Sequence, residues 1–254
     1  MLNTIVTGTP TDAPPLVVAH GLFGSARNWG AIARRLEDRS EVISVDLRNH
    51  GDSPHDPDHG YDALAADLAE VIEAHGGRAD LLGHSMGGKA AMVLALTAPS
   101  HVERLIVADI APAAYAHSQI GHVRTLQDLD LAGVTRRSEA DRALTEAMED
   151  RSLRAFLLQS LAIDEEGARW KLNLGALADK MPRIMGFPDL DGCFEGRTLF
   201  VTGARSDYVA PAHEERIRAL FPNAEHVAIP DAGHWLHAEA PKPFAEAVRA
   251  FLAR

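Results

Sequence analysis

The chain has 254 residues, of which 46% are hydrophobic, which is enough for one large α/β domain with a substantial core. Its net charge of −11 argues against nucleic acid and anionic membranes as partners. The single cysteine, Cys193, excludes an intramolecular disulfide. The first residues have no basic start followed by an apolar stretch, and no apolar run could span a bilayer. We therefore expect a cytoplasmic protein without membrane insertion.

Six short apolar runs alternate with longer segments of helical periodicity. Each run is rich in Val, Ile or Leu and is bounded by Gly, Pro or charged residues, which is typical of buried strands. The predicted strands are 16–20, 42–46, 80–83, 105–109, 199–202 and 224–229. Helical spacing of apolar residues is found at 29–36, at 64–72 and in a last helix that runs to the C-terminus. This pattern predicts an α/β fold with a mostly parallel central sheet that helices cover on both faces.

The segment 111–195 interrupts this alternation. It contains helical patterns, such as 153–161 and 169–181, and no convincing strand. A segment of this length between two sheet strands is seldom plain loop and is often a functional lid. We therefore predict a core formed by 1–110 and 196–254, with a helical cap inserted at 111–195.

The stretch LLGHSMGGKAAM, residues 81–92, fits two motifs that both lie on a turn between a strand and a helix. It contains G-x-x-x-x-G-K, the start of a phosphate-binding loop, but that loop needs Ser or Thr after the lysine to hold Mg²⁺. The residue after Lys89 is alanine. It also contains G-x-S-x-G, a nucleophile elbow, in which Gly83 and Gly87 leave room for strand and helix to approach Ser85. We therefore favour Ser85 as a nucleophile at the carboxyl end of a parallel strand.

A serine nucleophile needs a base and a carboxylate that orients the base, and elbow proteins carry them in the order Ser, Asp or Glu, His. His234, in IPDAGHWLH, follows the last predicted strand and is the predicted base. Asp207, in FVTGARSDYV, follows the preceding strand and is the preferred acid. Asp109, in VADIAP, also ends an apolar strand and stays open as the alternative acid.

An oxyanion hole requires backbone N–H donors beside the nucleophile. Met86 follows the nucleophile and is one predicted donor. The turn in VVAHGLFGS makes Leu22 the second, with Phe23 next in line. His20, in the same turn, is expected to brace the loop and not to transfer protons. With these groups a serine can attack an acyl carbon, and water can later release the acyl-enzyme, so no cofactor is needed.

Six blocks follow one another along nearly the whole chain: HGLFGSARNW, VDLRNHGDSP, GHSMGGKAAM, VADIAP, RWKLNL and AGHWLHAEAP. Together they resemble the α/β-hydrolase superfamily, and within it the small serine esterases of the YbfF type and the related mitochondrial ABHD11-like hydrolases. This resemblance implies an α/β-hydrolase fold and hydrolysis of short- to medium-chain carboxylic esters, with acyl-CoA thioesters as further candidates. Only residues 3–7 are available for a strand before residue 16, so we expect a reduced antiparallel edge.

The stretch NHGDSPHDPDHGYD has the composition of a metal site. It groups three histidines with three aspartates: His50, His55, His59, Asp52, Asp56 and Asp58. It lacks a helical pair of ligands, however, and two prolines break it. We favour a structural turn, D-x-R-x-x-G-x-S, in which Asp46 and Arg48 brace loops near the site, and we expect no metal.

Candidate substrate contacts come from both parts of the chain. Phe23 adjoins the oxyanion turn, while Phe156 and Trp170 belong to the cap; other apolar cap residues more often pack the cap onto the core. Three basic residues could meet an anionic leaving group but are expected to be solvated surface charges: Arg27, Arg169 and Lys171.

Other functions on this fold stay open. C–C bond hydrolysis and perhydrolysis also use a serine at the elbow. A small-molecule receptor could keep the same residues with little turnover, because fold alone does not fix function. Burst kinetics with an activated ester would separate these cases, since a receptor could acylate once and stall.

Overall fold

The computed structural model describes all residues, 1–254, and contains nine strands. They are β1 (Thr4–Thr7), β2 (Leu16–Ala19), β3 (Val42–Val45), β4 (Ala79–His84), β5 (Val102–Ala108), β6 (Leu161–Asp164), β7 (Gly167–Trp170), β8 (Arg197–Gly203) and β9 (Ala224–Ile229). Seven of them form one sheet in the order β1-β3-β2-β4-β5-β8-β9. Every pair in this sheet is parallel except β1–β3, so the antiparallel part is a single edge strand. All six predicted strands are present, and the predicted α/β class is confirmed.

Ten α-helices accompany the strands. They are α1 (Gly30–Leu36), α2 (Tyr61–Ala74), α3 (Met86–Thr97), α4 (Ile120–Asp128), α5 (Arg137–Leu144), α6 (Arg151–Leu157), α7 (Leu174–Met185), α8 (Glu214–Leu220), α9 (Leu236–Glu239) and α10 (Pro241–Leu252). No helix is long and apolar enough to cross a membrane. A cytoplasmic location stays a prediction.

Side chains of the sheet alternate between two apolar cores. In β2, Val17 belongs to the core that also contains residues of α2 and α3, whereas Leu16 and Val18 belong to the core that contains residues of α1 and α10. This alternation follows from the two-residue period of a strand. The first core holds 45 buried residues and the second 20, because residues of the segment between β5 and β8 add to the first.

The segment between β5 and β8 (residues 111–195, the inserted segment) holds α4 to α7 and a small hairpin. The prediction of no strand here was wrong, since β6 and β7 pair in an antiparallel register from Leu161↔Trp170 to Asp164↔Gly167. Gly167 has φ 112°, a left-handed conformation that glycine adopts readily after a two-residue turn. The predicted helix at 169–181 starts later, at Leu174, because the Asn173 side chain accepts a hydrogen bond from the amide of Ala176 (3.2 Å) and caps α7.

Candidate active site

Ser85 stands on a sharp turn between β4 and α3, with φ 51° and ψ −119°. This strained conformation is typical of a nucleophile elbow. The turn fits only because Gly83 and Gly87, two positions before and after Ser85, lack side chains. A Cβ on Gly83 would lie 2.3 Å from the Gly87 carbonyl oxygen, and a Cβ on Gly87 would lie 2.4 Å from the His20 oxygen. The sequence therefore uses glycine where helix and strands approach most closely.

The His234 imidazole lies between Ser85 and Asp109. Its Nε2 is 3.1 Å from the Ser85 hydroxyl, and its Nδ1 is 2.8 Å from Asp109 Oδ2. An ionised carboxylate can only accept hydrogen bonds, so Nδ1 carries the proton and Nε2 is free to accept one from the serine. This is the tautomer that a general base requires.

The preference for Asp207 as the partner of His234 was wrong, and the alternative, Asp109, occupies that position. Asp109 is completely buried, and its Oδ1 accepts a hydrogen bond from the Gly203 amide at 2.9 Å. Its Oδ2 also accepts from the Ser206 hydroxyl. Asp207 is exposed and makes no hydrogen bond to His234. A buried carboxylate needs several donors, and the end of β8, the loop after it and His234 supply them to Asp109, whereas Asp207 stays in solvent.

Two backbone amides predicted to form an oxyanion hole lie at the same cavity as Ser85. Met86 is the first residue of α3, so its amide has no intrahelical acceptor. The Leu22 amide makes no hydrogen bond within the protein. The Phe23 amide donates to His50 Nε2 at 3.2 Å, which favours Leu22 over Phe23 as a free donor.

His20 and His50 hold the oxyanion turn in place. The Leu47 amide donates to His20 Nε2 at 3.0 Å, so His20 Nδ1 carries its proton and donates to the Gly21 carbonyl at 2.7 Å. Burial lowers the pKa of His20 to about 4 and that of His50 to about 3. Both are neutral at pH 7 and act as fixed hydrogen-bonding groups, which agrees with the structural role expected of His20.

A cavity of about 330 Å³ opens at Ser85 and His234, with mostly apolar walls. Phe23 and Phe156 line it, as predicted from the sequence. Trp170 does not line it; its indole N–H donates instead to the Leu126 carbonyl at 2.9 Å and joins β7 to α4. Trp170 therefore packs the inserted segment internally, and its assignment as a substrate contact was wrong.

Lys89, which sequence reasoning left without a role, also lines this cavity and is almost fully buried. Its ammonium donates to the carbonyls of Met185 and Gly186 at 3.0 and 2.5 Å and lies 4.7 Å from the centre of the Tyr115 ring. Burial lowers its pKa to about 7. Lys89 thus ties α3 to the end of α7. The only sequence signal was a lysine within an otherwise apolar helix.

The histidine- and aspartate-rich stretch forms a structural turn. Asp46 accepts hydrogen bonds from the amides of Ala26 (2.7 Å) and Asp52 (2.9 Å), and Arg48 forms a bidentate pair with Asp67. These contacts support the bracing role inferred for Asp46 and Arg48. The structure contains no group of three or more His, Cys, Asp or Glu side chains placed to hold a metal ion.

The three basic residues considered as anion contacts line a second, polar cavity of about 310 Å³. Each stands near a carboxylate: Arg169 bonds Asp164 at 2.6 Å, Lys171 bonds Asp52 at 2.6 Å, and Arg27 lies 3.8 Å from Asp52. Arg27 and Arg169 are exposed, and Lys171 is partly buried.

Comparison with known proteins identifies the family of the chain. Residues 16–247 match the model of the alpha/beta hydrolase family. The chain is 42% identical over 251 residues to the Mus musculus protein named sn-1-specific diacylglycerol lipase ABHD11, covering 94% of this chain and 81% of that protein. It is 36% identical over 242 residues to esterase YbfF of Escherichia coli K12, covering 94% and 92% of the two chains. A solved structure titled marine microorganism esterase has a TM-score of 0.93 at 36% identity and covers 99% of this chain and 100% of that one. These matches extend over nearly the whole sequence, and the chain belongs to the alpha/beta hydrolase family.

Proposed function

We propose that this carboxylic ester hydrolase works through an acyl-enzyme on Ser85, with His234 as general base and Asp109 as the orienting acid. The observation that carries the proposal is the continuous hydrogen-bonded line from Ser85 through His234 (3.1 Å) to Asp109 (2.8 Å). Esterase and lipase relatives support the ester bond as the target.

The reaction has two halves. His234 takes the Ser85 proton while the oxygen attacks the acyl carbon, and the amides of Leu22 and Met86 donate to the oxyanion of the tetrahedral intermediate. The imidazolium then protonates the departing alkoxide, which leaves the acyl group on Ser85. Water repeats the sequence to release the carboxylic acid, and Asp109 stabilises the imidazolium in both halves.

The cavity favours small acyl groups. Its volume of about 330 Å³ lies near the lower end of the range for small-molecule sites, roughly 300–1,000 Å³. Phe23, Leu153 and Phe156 give it apolar walls. We propose short- to medium-chain esters as preferred substrates, with thioesters of the same acyl groups as a further class that the same attack would cleave.

The inserted segment acts as a lid over this cavity in the proposal. The cavity is lined by Leu153 and Phe156 in α6 and by Ile184 and Met185 at the end of α7, together with the proposed catalytic residues of the core. A wall from the inserted segment excludes water from the oxyanion and sets the size of the acyl group that fits.

The test compares the wild type with Ser85→Ala on p-nitrophenyl acetate, butyrate, octanoate and palmitate, on the matching acyl-CoA thioesters and on a diacylglycerol. We expect steady turnover of the shorter esters and loss of nearly all turnover in the variant. A fluorophosphonate probe should label Ser85 in the wild type only, as mapped by peptide mass spectrometry.

Three outcomes contradict the proposal. Labelling of another residue in Ser85→Ala, with activity retained, would mean that a different nucleophile acts. A single burst of p-nitrophenol equal to the enzyme concentration, followed by no turnover on any substrate, would favour the receptor function. Cleavage of a β-diketone, or peracid formation from hydrogen peroxide, faster than ester hydrolysis would favour the C–C hydrolase or perhydrolase alternatives.

A further inference from the structure

We infer that Tyr208 is a positioning residue for His234, holding the imidazole plane between Ser85 and Asp109 and favouring its protonated form. The inference rests on the proposed function, since it gives Tyr208 a task only if His234 is the base. The main observation is that the Tyr208 and His234 rings are stacked, with their centres 3.8 Å apart and their planes inclined by 15°.

This stack is the closest aromatic contact that His234 makes. The rings of His84 and Trp235 are farther away, at 4.8 and 6.1 Å, and both are steeply tilted to the imidazole. His84 Nε2 donates to the backbone carbonyl of His234 at 2.8 Å and therefore holds the main chain. Tyr208 is the residue that covers a face of the imidazole itself.

Tyr208 is held in turn by three contacts. Its carbonyl accepts a hydrogen bond from the Tyr115 hydroxyl at 2.7 Å, and its amide donates to the Ser206 hydroxyl oxygen at 3.3 Å. Its own hydroxyl lies 3.2 Å from His117 Nε2. Ser206 also donates to Asp109, so the loop after β8 braces both the carboxylate and the imidazole.

The stack has two physical consequences. A ring parallel to the imidazole prevents it from rotating about χ2, so the two ring nitrogens stay aimed at Ser85 and Asp109. The negative face of an aromatic ring also attracts a cation, and the imidazole becomes cationic during both proton transfers. Burial raises the pKa of Tyr208, so the ring is a neutral phenol under assay conditions.

Tyr208 also lines the substrate cavity. The alternative to exclude is therefore that Tyr208 only contacts the substrate and has no effect on His234. A residue that only lines the cavity contributes to binding of the acyl or alcohol group, so its substitution changes KM. A positioning residue changes kcat and the pH dependence of kcat/KM, because both depend on the state of the imidazole.

The experiment compares Tyr208→Phe, which keeps the ring, with Tyr208→Leu, which removes it, on a short p-nitrophenyl ester between pH 5 and 9. In Tyr208→Leu we expect kcat to fall by roughly 10–100-fold through misalignment of the base. The acid limb of kcat/KM should move to lower pH by about half a unit, because the imidazolium loses its aromatic partner. Tyr208→Phe should restore both quantities to near the wild-type values.

Tyr61→Leu serves as the matched control. Tyr61 lines the same cavity but makes no contact with His234, so this variant should change KM and leave the acid limb in place. Melting temperatures of all variants separate folding defects from catalytic ones. A Tyr208→Leu enzyme with wild-type kcat and an unmoved acid limb, altered only in KM, would make Tyr208 a cavity wall and overturn the inference.

Impairment of Tyr208→Phe equal to that of Tyr208→Leu would also overturn it, because the hydroxyl and not the ring would then matter. Retained activity in Ser85→Ala would contradict the proposed function itself, and this outcome is separate from any result obtained with the Tyr208 variants.

Discussion

At the scale of single residues, the choice between Asp109 and Asp207 decides how His234 works. Asp109 is buried and accepts three hydrogen bonds, whereas Asp207 is exposed. Because the Asp109 carboxylate faces Nδ1, it fixes the tautomer and lies next to the imidazolium that forms in each half of the proposed reaction.

We expect Asp109→Asn to lower kcat by up to about 10⁴-fold, since an amide can hold the imidazole in the wrong tautomer. Asp207→Asn, the matched control, should keep nearly wild-type kcat. Both variants are compared in steady-state hydrolysis of p-nitrophenyl butyrate, with melting temperatures to confirm folding. A large loss in Asp207→Asn together with normal activity in Asp109→Asn would contradict the assignment.

The sequence could predict that Ser85 and His234 lie together but not which carboxylate faces the histidine. The serine is marked by its two flanking glycines, and the histidine by its place after the last strand. Asp109 and Asp207 both follow an apolar strand, and nothing in their neighbours' identities indicates which carboxylate will be buried. The difference arises from two donors, Gly203 at the end of β8 and Ser206 in the loop after it, and such donors are visible only in three dimensions.

At the scale of elements, the position of Ser85 depends on how closely α3 approaches the sheet. The Gly87 Cα lies so near β2 that a Cβ there would be 2.4 Å from the His20 oxygen and 2.5 Å from the Ala19 oxygen. These are backbone atoms of a central strand, so the helix would have to move and take the nucleophile with it.

We therefore expect Gly87→Ala to lower the free energy of unfolding by roughly 1–3 kcal/mol or more, as overpacked sites do. Its esterase kcat should fall about 100-fold, because a shift of about 1 Å misaligns Ser85 with His234. Gly121→Ala in α4 is the control: a Cβ there meets no atom within 4 Å, and alanine should be neutral or slightly stabilising. Urea unfolding measures the stability of the two variants, and ester hydrolysis measures their kcat. Wild-type stability and wild-type activity in Gly87→Ala would contradict the tight fit of α3 against β2.

The prediction of elements from the sequence failed for the hairpin β6–β7. The strands of the central sheet are uniformly apolar because helices cover both faces, and such runs are easy to recognise. The hairpin β6–β7 has a partly exposed surface, so its few apolar residues also fit a helical period. The substrate contact predicted for Trp170 fails for the same reason, because the sequence does not indicate that Trp170 lies in a strand.

At the scale of the whole molecule, neutral histidines fill the interior around the site. Burial lowers the pKa of His20 to about 4, lowers the pKa of His50, His59 and His237 to about 3, and lowers the pKa of His84 well below its usual value. In the unfolded chain these side chains titrate near pH 6.5. Below that pH the unfolded chain therefore binds protons that the folded protein excludes.

We expect the contribution of these histidines to the free energy of unfolding to be nearly constant above about pH 7 and to fall as the pH is lowered through about 6. Each buried histidine should contribute up to roughly 1.4 kcal/mol per pH unit. Urea unfolding at pH 7.5, 6.5, 5.5 and 4.5 measures this dependence. A free energy of unfolding that stays constant down to pH 4.5 would contradict the neutral state of these histidines.

One variant tests the origin of this dependence. His237 is stacked on Trp29 at 4.3 Å, and its Nδ1 has no hydrogen-bond partner. His237→Phe keeps an aromatic ring in the stack and removes one buried titrating group, so stability should fall less steeply with acid. His55→Asn, at an exposed histidine, should leave the slope as it is.

The separation of the triad along the chain also has a consequence for synthesis. His234 follows Ser85 by 149 residues and Asp109 by 125, and it lies after β9, the last strand of the sheet. At roughly 5–20 residues per second, a ribosome adds His234 about 7–30 s after Ser85. During that interval the nascent chain carries an ordinary serine with no base to activate it. Hydrolysis through the proposed triad therefore requires synthesis to pass His234, and recovery of activity after refolding reports that β9 has joined the sheet.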